Sequence, residues 1–235
     1  HQAVGEKSVI YLYSKVAVDN ILEFNPDARL ILMLRNPVDL VYSWHSQLHY
    51  SFLEDIADFN TAWNMQEIRQ QGKNIPARCP VPFALQYREI GRLGKYTAKL
   101  LDKAPSEQIR IIFMEDVHAD VEKTYSETLE FLNVDYEPRR DPRKLNVNKR
   151  HRSRWLGSHL THDSRSQTSR VIKRIEKLPL IRDMNLRYRL HEWNKVEYKR
   201  PPLAPDMRLQ LVEEFRDDVM ELSELTGRDL GHWLK

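Results

Sequence analysis

Arg35, Asn36, Pro37, Val38 and Asp39 follow one another directly, and Ser43 lies eight residues after Arg35. Asn is a good helix N-cap, Pro suits the first helical position, and an acid in the first turn suits the positive end of the helix dipole. The stretch therefore reads as the start of a helix. Arg35, just ahead of it, offers a planar fork that matches a phosphate. Ser43 falls less than two turns in, roughly 9 Å along the axis at the usual rise per residue. An Arg and a Ser hydroxyl so spaced can grip one phosphate from two sides, beside the free N–H groups of the helix start. The plain alternative is an Arg paired with a carboxylate and an ordinary helix hydroxyl.

A second group lies further on. From Arg139 to Arg154 there are eight Lys/Arg and one acid, Asp141. The cluster either wants an anion or is a solvated loop. His45 and His49 are four apart on the same expected helix, the spacing of a metal pair. They lack the Glu of the zinc-protease motif and no third ligand is evident, so side chains facing an acceptor cleft or solvent are expected instead. Trp44, Tyr50, Phe52 and Trp63 flank this segment; they could stack on a sugar or aromatic ligand, with burial in the core as the default. There is no Gly-x-Ser-x-Gly hydrolase elbow, no Gly-x-Gly-x-x-Gly dinucleotide loop and no Gly-x-x-x-x-Gly-Lys-Ser/Thr loop.

The elements that must position these residues are legible in part. Residues 28–34 and 109–114 are short, bounded apolar runs, as expected for strands of a parallel sheet interior. Each follows a helical pattern and a turn, Asn25-Pro26-Asp27 and Ala104-Pro105-Ser106, and each leads into another helical pattern. That alternation predicts an α/β fold with right-handed crossovers. In such folds ligands bind at the carboxyl edge of the strands, which is where Arg35 falls. Helices are expected at about 15–24, 37–49, 59–71, 86–103, 119–132, 165–177 and 205–226. The last is stopped by Gly227. Only two central strands are clear, and a complete doubly wound sheet needs more.

Composition bounds the rest. The 235 residues suffice for one medium-sized α/β domain, and 41% hydrophobic residues argue against disorder. No apolar run approaches the ~20 residues of a membrane span. The formal charge is only +3, so the whole molecule is not a general polyanion binder. Cys79 is the only cysteine, which excludes an internal disulfide and a Cys-rich zinc site. A reducing cytosol fits best, although a lumenal location stays open. The chain opens on His1 with no signal-peptide pattern after it, which reads as a cut edge.

Several ordered motifs carry a resemblance. Arg35-Asn36-Pro37-Val38-Asp39 with Tyr42-Ser43 resembles the 3′-phosphate-binding motif of the sulfotransferases that use PAPS (3′-phosphoadenosine 5′-phosphosulfate). Gly94-Lys95-Tyr96 with Leu100 looks like the family helix before the second strand. Phe113-Met114-Glu115-Asp116-Val117, then Leu129-Glu130-Phe131-Leu132, looks like its strand end and following helix. Asn146-Val147-Asn148 with Arg152-Ser153-Arg154-Trp155-Leu156 looks like the basic loop over the nucleotide. The stretch from Gly227 to Leu234 is similar to a tail common in bacterial members. The resemblance spans roughly residues 5–235.

It implies a three-layer parallel sheet flanked by helices, the P-loop-NTPase-like sulfotransferase fold, as a single domain over 1–235. It implies transfer of a sulfuryl group from PAPS, leaving PAP, to a hydroxyl or amine of a carbohydrate or small-molecule acceptor, with no metal required and neither nucleic acid nor a membrane span involved. Arg35 and Ser43 would hold the 3′-phosphate. Gly5-Glu6-Lys7-Ser8 resembles the Glu-Lys-Ser/Thr stretch of heparan-sulfate-type members, which makes Glu6 the candidate base and Lys7 a cation near the transferring group. Lys149 and Arg150 would contact donor phosphates, with Arg152 and Arg154 as further candidates. The family's 5′-phosphosulfate loop is expected upstream of His1, and a fragment without it would fold and yet not turn over. Met114 stands where many cytosolic members carry an adenine-stacking Tyr; a thioether can still pack against a ring. The alternative from another class is a non-catalytic module that binds RNA or a sulfated glycan through the 139–154 patch. That patch would not explain Arg35, Ser43 and Glu6.

Overall fold

A computed structural model describes residues 4–138, 148–161 and 186–235. The expected helix at 165–177 and the 139–147 part of the basic cluster, Asn146 and Val147 included, lie outside the described residues. In chain order the elements are α1 (Ala17–Phe24), β1 (Leu30–Leu34), α2 (Pro37–Tyr50), α3 (Phe59–Asn64), α4 (Gln66–Gln70), α5 (Tyr87–Gly91), α6 (Leu93–Lys103), β2 (Ile109–Phe113), α7 (Met114–Ala119), α8 (Val121–Leu132), β3 (Lys149–His151), α9 (Arg154–Thr161), α10 (Leu186–Asn194), β4 (Lys195–Glu197) and α11 (Pro205–Thr226). The chain divides into two compact units, residues 1–42, 86–142 and 203–235 in the first and residues 43–85 and 143–202 in the second.

The first unit is α/β. β1 and β2 pair in parallel, from Leu30 opposite Ile109 to Leu34 opposite Phe113, as the two apolar runs predict. Leu32 and Leu34 turn into the core from alternate positions of β1, which places Leu34 at the base of the turn that carries Arg35. Among the described residues this sheet has two strands.

Helix expectations hold at 17–24, 37–50 and 205–226, and Gly227 adopts the left-handed C-cap at φ 64°. The expected helix over 86–103 breaks at Arg92. Asp218 of α11 supplies the cause: its carboxylate accepts from Gly94 N (2.8 Å) and Lys95 N (3.0 Å), so it starts a new helix. α11 can come this close because Gly91 and Gly94 carry no side chain. A Cβ on Gly91 would lie 2.2 Å from the Phe215 ring, and one on Gly94 would lie 2.3 Å from the Asp218 carbonyl. The expected 119–132 helix is preceded by α7, and Asp120 separates the two by capping Lys123 N (2.9 Å).

In the second unit the expected 59–71 helix splits at Met65, where the buried Gln66 amide takes the Trp63 carbonyl (2.8 Å). β3 and β4 pair antiparallel, Lys149 opposite Glu197. Neither strand was visible in the sequence: each is three residues long, and together they read Lys-Arg-His and Lys-Val-Glu, with no apolar run. Phe59, Trp63 and Leu85 fill the interior, and Glu54 and Arg69 form an ion pair there with both side chains fully enclosed.

Candidate functional site

The turn after β1 is built as its residues dictate. Asn36 accepts from Val38 N (2.9 Å) through its side-chain oxygen, and Pro37 opens α2. The Asn36 amide donates to the Trp233 carbonyl (3.2 Å), so the C-terminal tail holds the cap in place. That tail is itself anchored on α7. Trp233 Nε1 donates to Glu115 (2.7 Å), and Arg228 bonds both oxygens of Asp116 (2.5 and 2.8 Å). The pairing holds the Asp116 carboxyl below the usual range, through the Arg228 hydrogen bonds first. The tail's job in this unit is thus to fix the strand-to-helix turn.

Arg35 is half-buried at the carboxyl end of β1. Among the described residues no carboxylate pairs with it. Ser43 is half-buried on α2, and its hydroxyl has no hydrogen-bond partner among them.

Glu6 and Lys7 lie in the exposed stretch before the short 3₁₀ turn Tyr11–Tyr13. The Glu6 carboxylate accepts a hydrogen bond from the Tyr11 hydroxyl, and this contact pushes the Tyr11 phenol up. Sequence reasoning missed Tyr11, although its five-residue offset from Glu6 was visible. Met114 is the first residue of α7, directly after β2.

In the second unit Lys149 and Arg150 are on β3. Lys149 is half-buried, whereas Arg150 is exposed and lies 5.2 Å over the Tyr198 ring. Arg152 stands 5.5 Å over Trp193. Arg154 opens α9 and donates to the His49 imidazole (2.5 Å to Nε2). His49 is the acceptor, which requires a neutral ring. Burial and then the Arg154 charge lower its pKa to about 4. His45 is buried against the Ile56 carbonyl (2.9 Å), with its ring parallel to that of His49 at 6.2 Å. His45 also packs on Phe59 at 5.3 Å, so it lies in the interior and does not face a cleft or solvent as expected. Among the described residues no group of three His, Cys, Asp or Glu is placed to hold a metal ion.

Of the four aromatic residues flagged in the sequence, Phe52 and Trp63 are buried, in keeping with the core reading. Trp44 is half-buried and donates to the Ala84 carbonyl (2.8 Å). Tyr50 stacks on His151 at 4.4 Å. Asn194, fully enclosed, ties this region together: its side chain accepts from Ser153 N (2.8 Å) and donates to the Ser153 carbonyl (3.0 Å). Asn194 and Arg78, discussed below, escaped sequence reading because their partners are 41 and 80 positions away.

A parallel strand ending in an Arg with no carboxylate partner among the described residues, followed at once by a Pro-opened helix, is an arrangement of α/β folds, in which ligands commonly bind at the sheet's carboxyl edge. The comparisons narrow it. A family model described as "Sulfotransferase domain" matches residues 18–177, more than half of the chain, and the chain belongs to that family. The crystal structure of a sulfotransferase from Alicyclobacillus acidocaldarius is similar, with a TM-score of 0.65 and 23% identity. The match covers 100% of this chain and 68% of that one, and at this identity it establishes the shared fold. No curated protein sequence matches the chain. Among the described residues no helix is long and apolar enough to cross a membrane.

Proposed function

We propose that the chain's sulfuryl transfer uses PAPS as donor and a hydroxyl or amine of a carbohydrate or small molecule as acceptor, with both units working as one domain. The observation that carries the reading is Arg35: a half-buried guanidinium at a strand's carboxyl end, with no carboxylate partner among the described residues. Arg35 and Ser43 would hold the 3′-phosphate, the feature that distinguishes PAPS and PAP from an ordinary adenylate. Lys149 and Arg150 would contact the remaining donor phosphates.

The chemistry asked of the other residues is limited. The acceptor oxygen or nitrogen attacks sulfur in line, the bond between sulfur and the 5′-phosphate oxygen breaks, and PAP leaves with the electron pair. Most of the acceleration in such transfers comes from positioning and charge stabilisation. Glu6 would take the acceptor proton and Lys7 would offset charge on the sulfuryl oxygens. The Tyr11 hydroxyl on Glu6 would orient that carboxylate.

PAP should raise the melting temperature of the chain, because a ligand that binds only the native state stabilises it. AMP, lacking the 3′-phosphate, should give a much smaller shift. Equal shifts with the two nucleotides would remove 3′-phosphate recognition from the account. Replacement of Glu6 by Gln should lower turnover by about 10²-fold or more, the range expected for a lost general base, while PAP binding stays intact. Unchanged turnover would take Glu6 out of the mechanism.

A further inference from the structure

We propose that Arg78 and Arg154, both set against the ring of Phe52 in the second unit, form an oxyanion site for a carboxylate-bearing or otherwise acidic acceptor. The inference rests on the sulfotransferase reading and names the acceptor class for it.

Phe52 is the anchor. It follows the end of α2 in the left-handed region at φ 61°, a position that usually takes Gly. A bulky side chain there costs conformational energy, so something must hold it. The ring is buried and stacks on His151 (4.8 Å, 22°), which stacks in turn on Tyr50 (4.4 Å, 5°). His151 is fixed by the Tyr50 carbonyl (2.9 Å) and by close packing against Gly157, where a Cβ would lie 2.7 Å from the imidazole. The platform is therefore rigid and contributed by three segments.

Two guanidiniums lie against it, that of Arg154 5.2 Å and that of Arg78 5.7 Å from the ring centre. Arg78 also reaches the Ser158 carbonyl at 3.4 Å, on the helix that Arg154 opens, so both cations lie beside α9. Neither has a carboxylate at ion-pair distance among the described residues, and Arg152 over Trp193 adds a third such cation. The contrast with Arg69 is what decides the reading. That Arg, in the same unit, is enclosed with Glu54 on two bonds (2.5 and 2.7 Å) and has Asp55 at 3.6 Å. Glu54 is thus spent on Arg69, and the exposed Asp55 acts on both Arg69 and Arg154, while Arg78 and Arg154 are exposed with no carboxylate at ion-pair distance among the described residues. Burial lowers the Arg154 pKa, and the charge of Asp55 only partly opposes that shift. A neutral His49 directs the Arg154 fork, leaving its other N–H groups for an incoming oxyanion.

An acidic acceptor group and a donor phosphate share this oxyanion chemistry, and the test separates them. PAP is titrated first into the wild-type chain, Arg78→Ala and Arg154→Ala by calorimetry. With PAP saturating, two matched pairs follow by ligand-observed NMR: methyl glucuronide against methyl glucoside, and 4-hydroxybenzoate against 4-hydroxybenzamide. The charged member of at least one pair should bind about tenfold tighter than its neutral partner, in line with a charge-assisted bidentate contact. Each Ala variant should abolish the preference, and Arg78→Ala should do so with melting temperature and PAP affinity unchanged. Arg154→Lys, which keeps the charge without the fork, should retain part of it. Equal binding of charged and neutral members, or binding of neither, overturns the oxyanion site. Loss of PAP affinity in the Ala variants also overturns it, since the cations would then serve the donor. Absence of PAP binding to the wild-type chain sinks the donor reading instead.

Discussion

His49 illustrates how one side chain couples burial to charge. Its ring is held neutral by burial, by Arg154 and by His45, with Glu54 opposing and His151 adding to the effect. The folded chain takes up no proton there until pH about 4, whereas the unfolded chain does so below about 6.5. The contribution to stability is therefore complete above about 6.5 and is lost as the pH falls towards 4. His45 and His151 are shifted down by burial as well and act in the same direction. The melting temperature should thus fall between pH 7 and pH 4.5, and His49→Gln should make that fall shallower. An unchanged slope in the variant would show that the folded chain does not hold the His49 imidazole neutral. The capped turn that carries Arg35 was legible in the sequence because Arg35, its cap and Ser43 lie within nine positions. The Arg154–His49 contact spans 105 positions and Arg78–Ser158 spans 80, so no local spacing announces them.

At the scale of elements, apolar periodicity and capping predicted β1, β2, α2 and α11 well. Over 86–103, where they failed, a distant side chain had intervened. Asp218 starts α6 from another helix, and no run of residues from 86 to 103 contains that information. Gly94→Ala should accordingly destabilise the first unit, since its Cβ meets the Asp218 carbonyl at 2.3 Å and a backbone atom cannot rotate away. A cost of about 1 to 3 kcal/mol in urea unfolding is expected from such overpacking. In the second unit the enclosed Glu54–Arg69 pair joins the segment after α2 to α4. Glu54→Ala removes both short hydrogen bonds from the enclosed Arg69 guanidinium and should cost about 3 to 5 kcal/mol. A loss below 1 kcal/mol would mean that water reaches Arg69.

For the whole molecule, the family and the α/β fold follow from the match over residues 18–177 and from the parallel pairing of β1 with β2. Both were readable in advance because the motifs occur in a fixed order along the chain. The proposed acceptor site was not, because its cations and rings are brought together from Phe52, Arg78, His151 and Arg154. The central claim is that Arg35 recognises the 3′-phosphate of the donor. Calorimetric titration of PAP into the wild-type chain and into Arg35→Ala tests it most directly. The wild type should bind, and the variant should lose about 1.5 to 3 kcal/mol of binding free energy, the range for a hydrogen bond to a charged group, with its melting temperature in the absence of ligand preserved. Equal PAP affinity in the two proteins would contradict it.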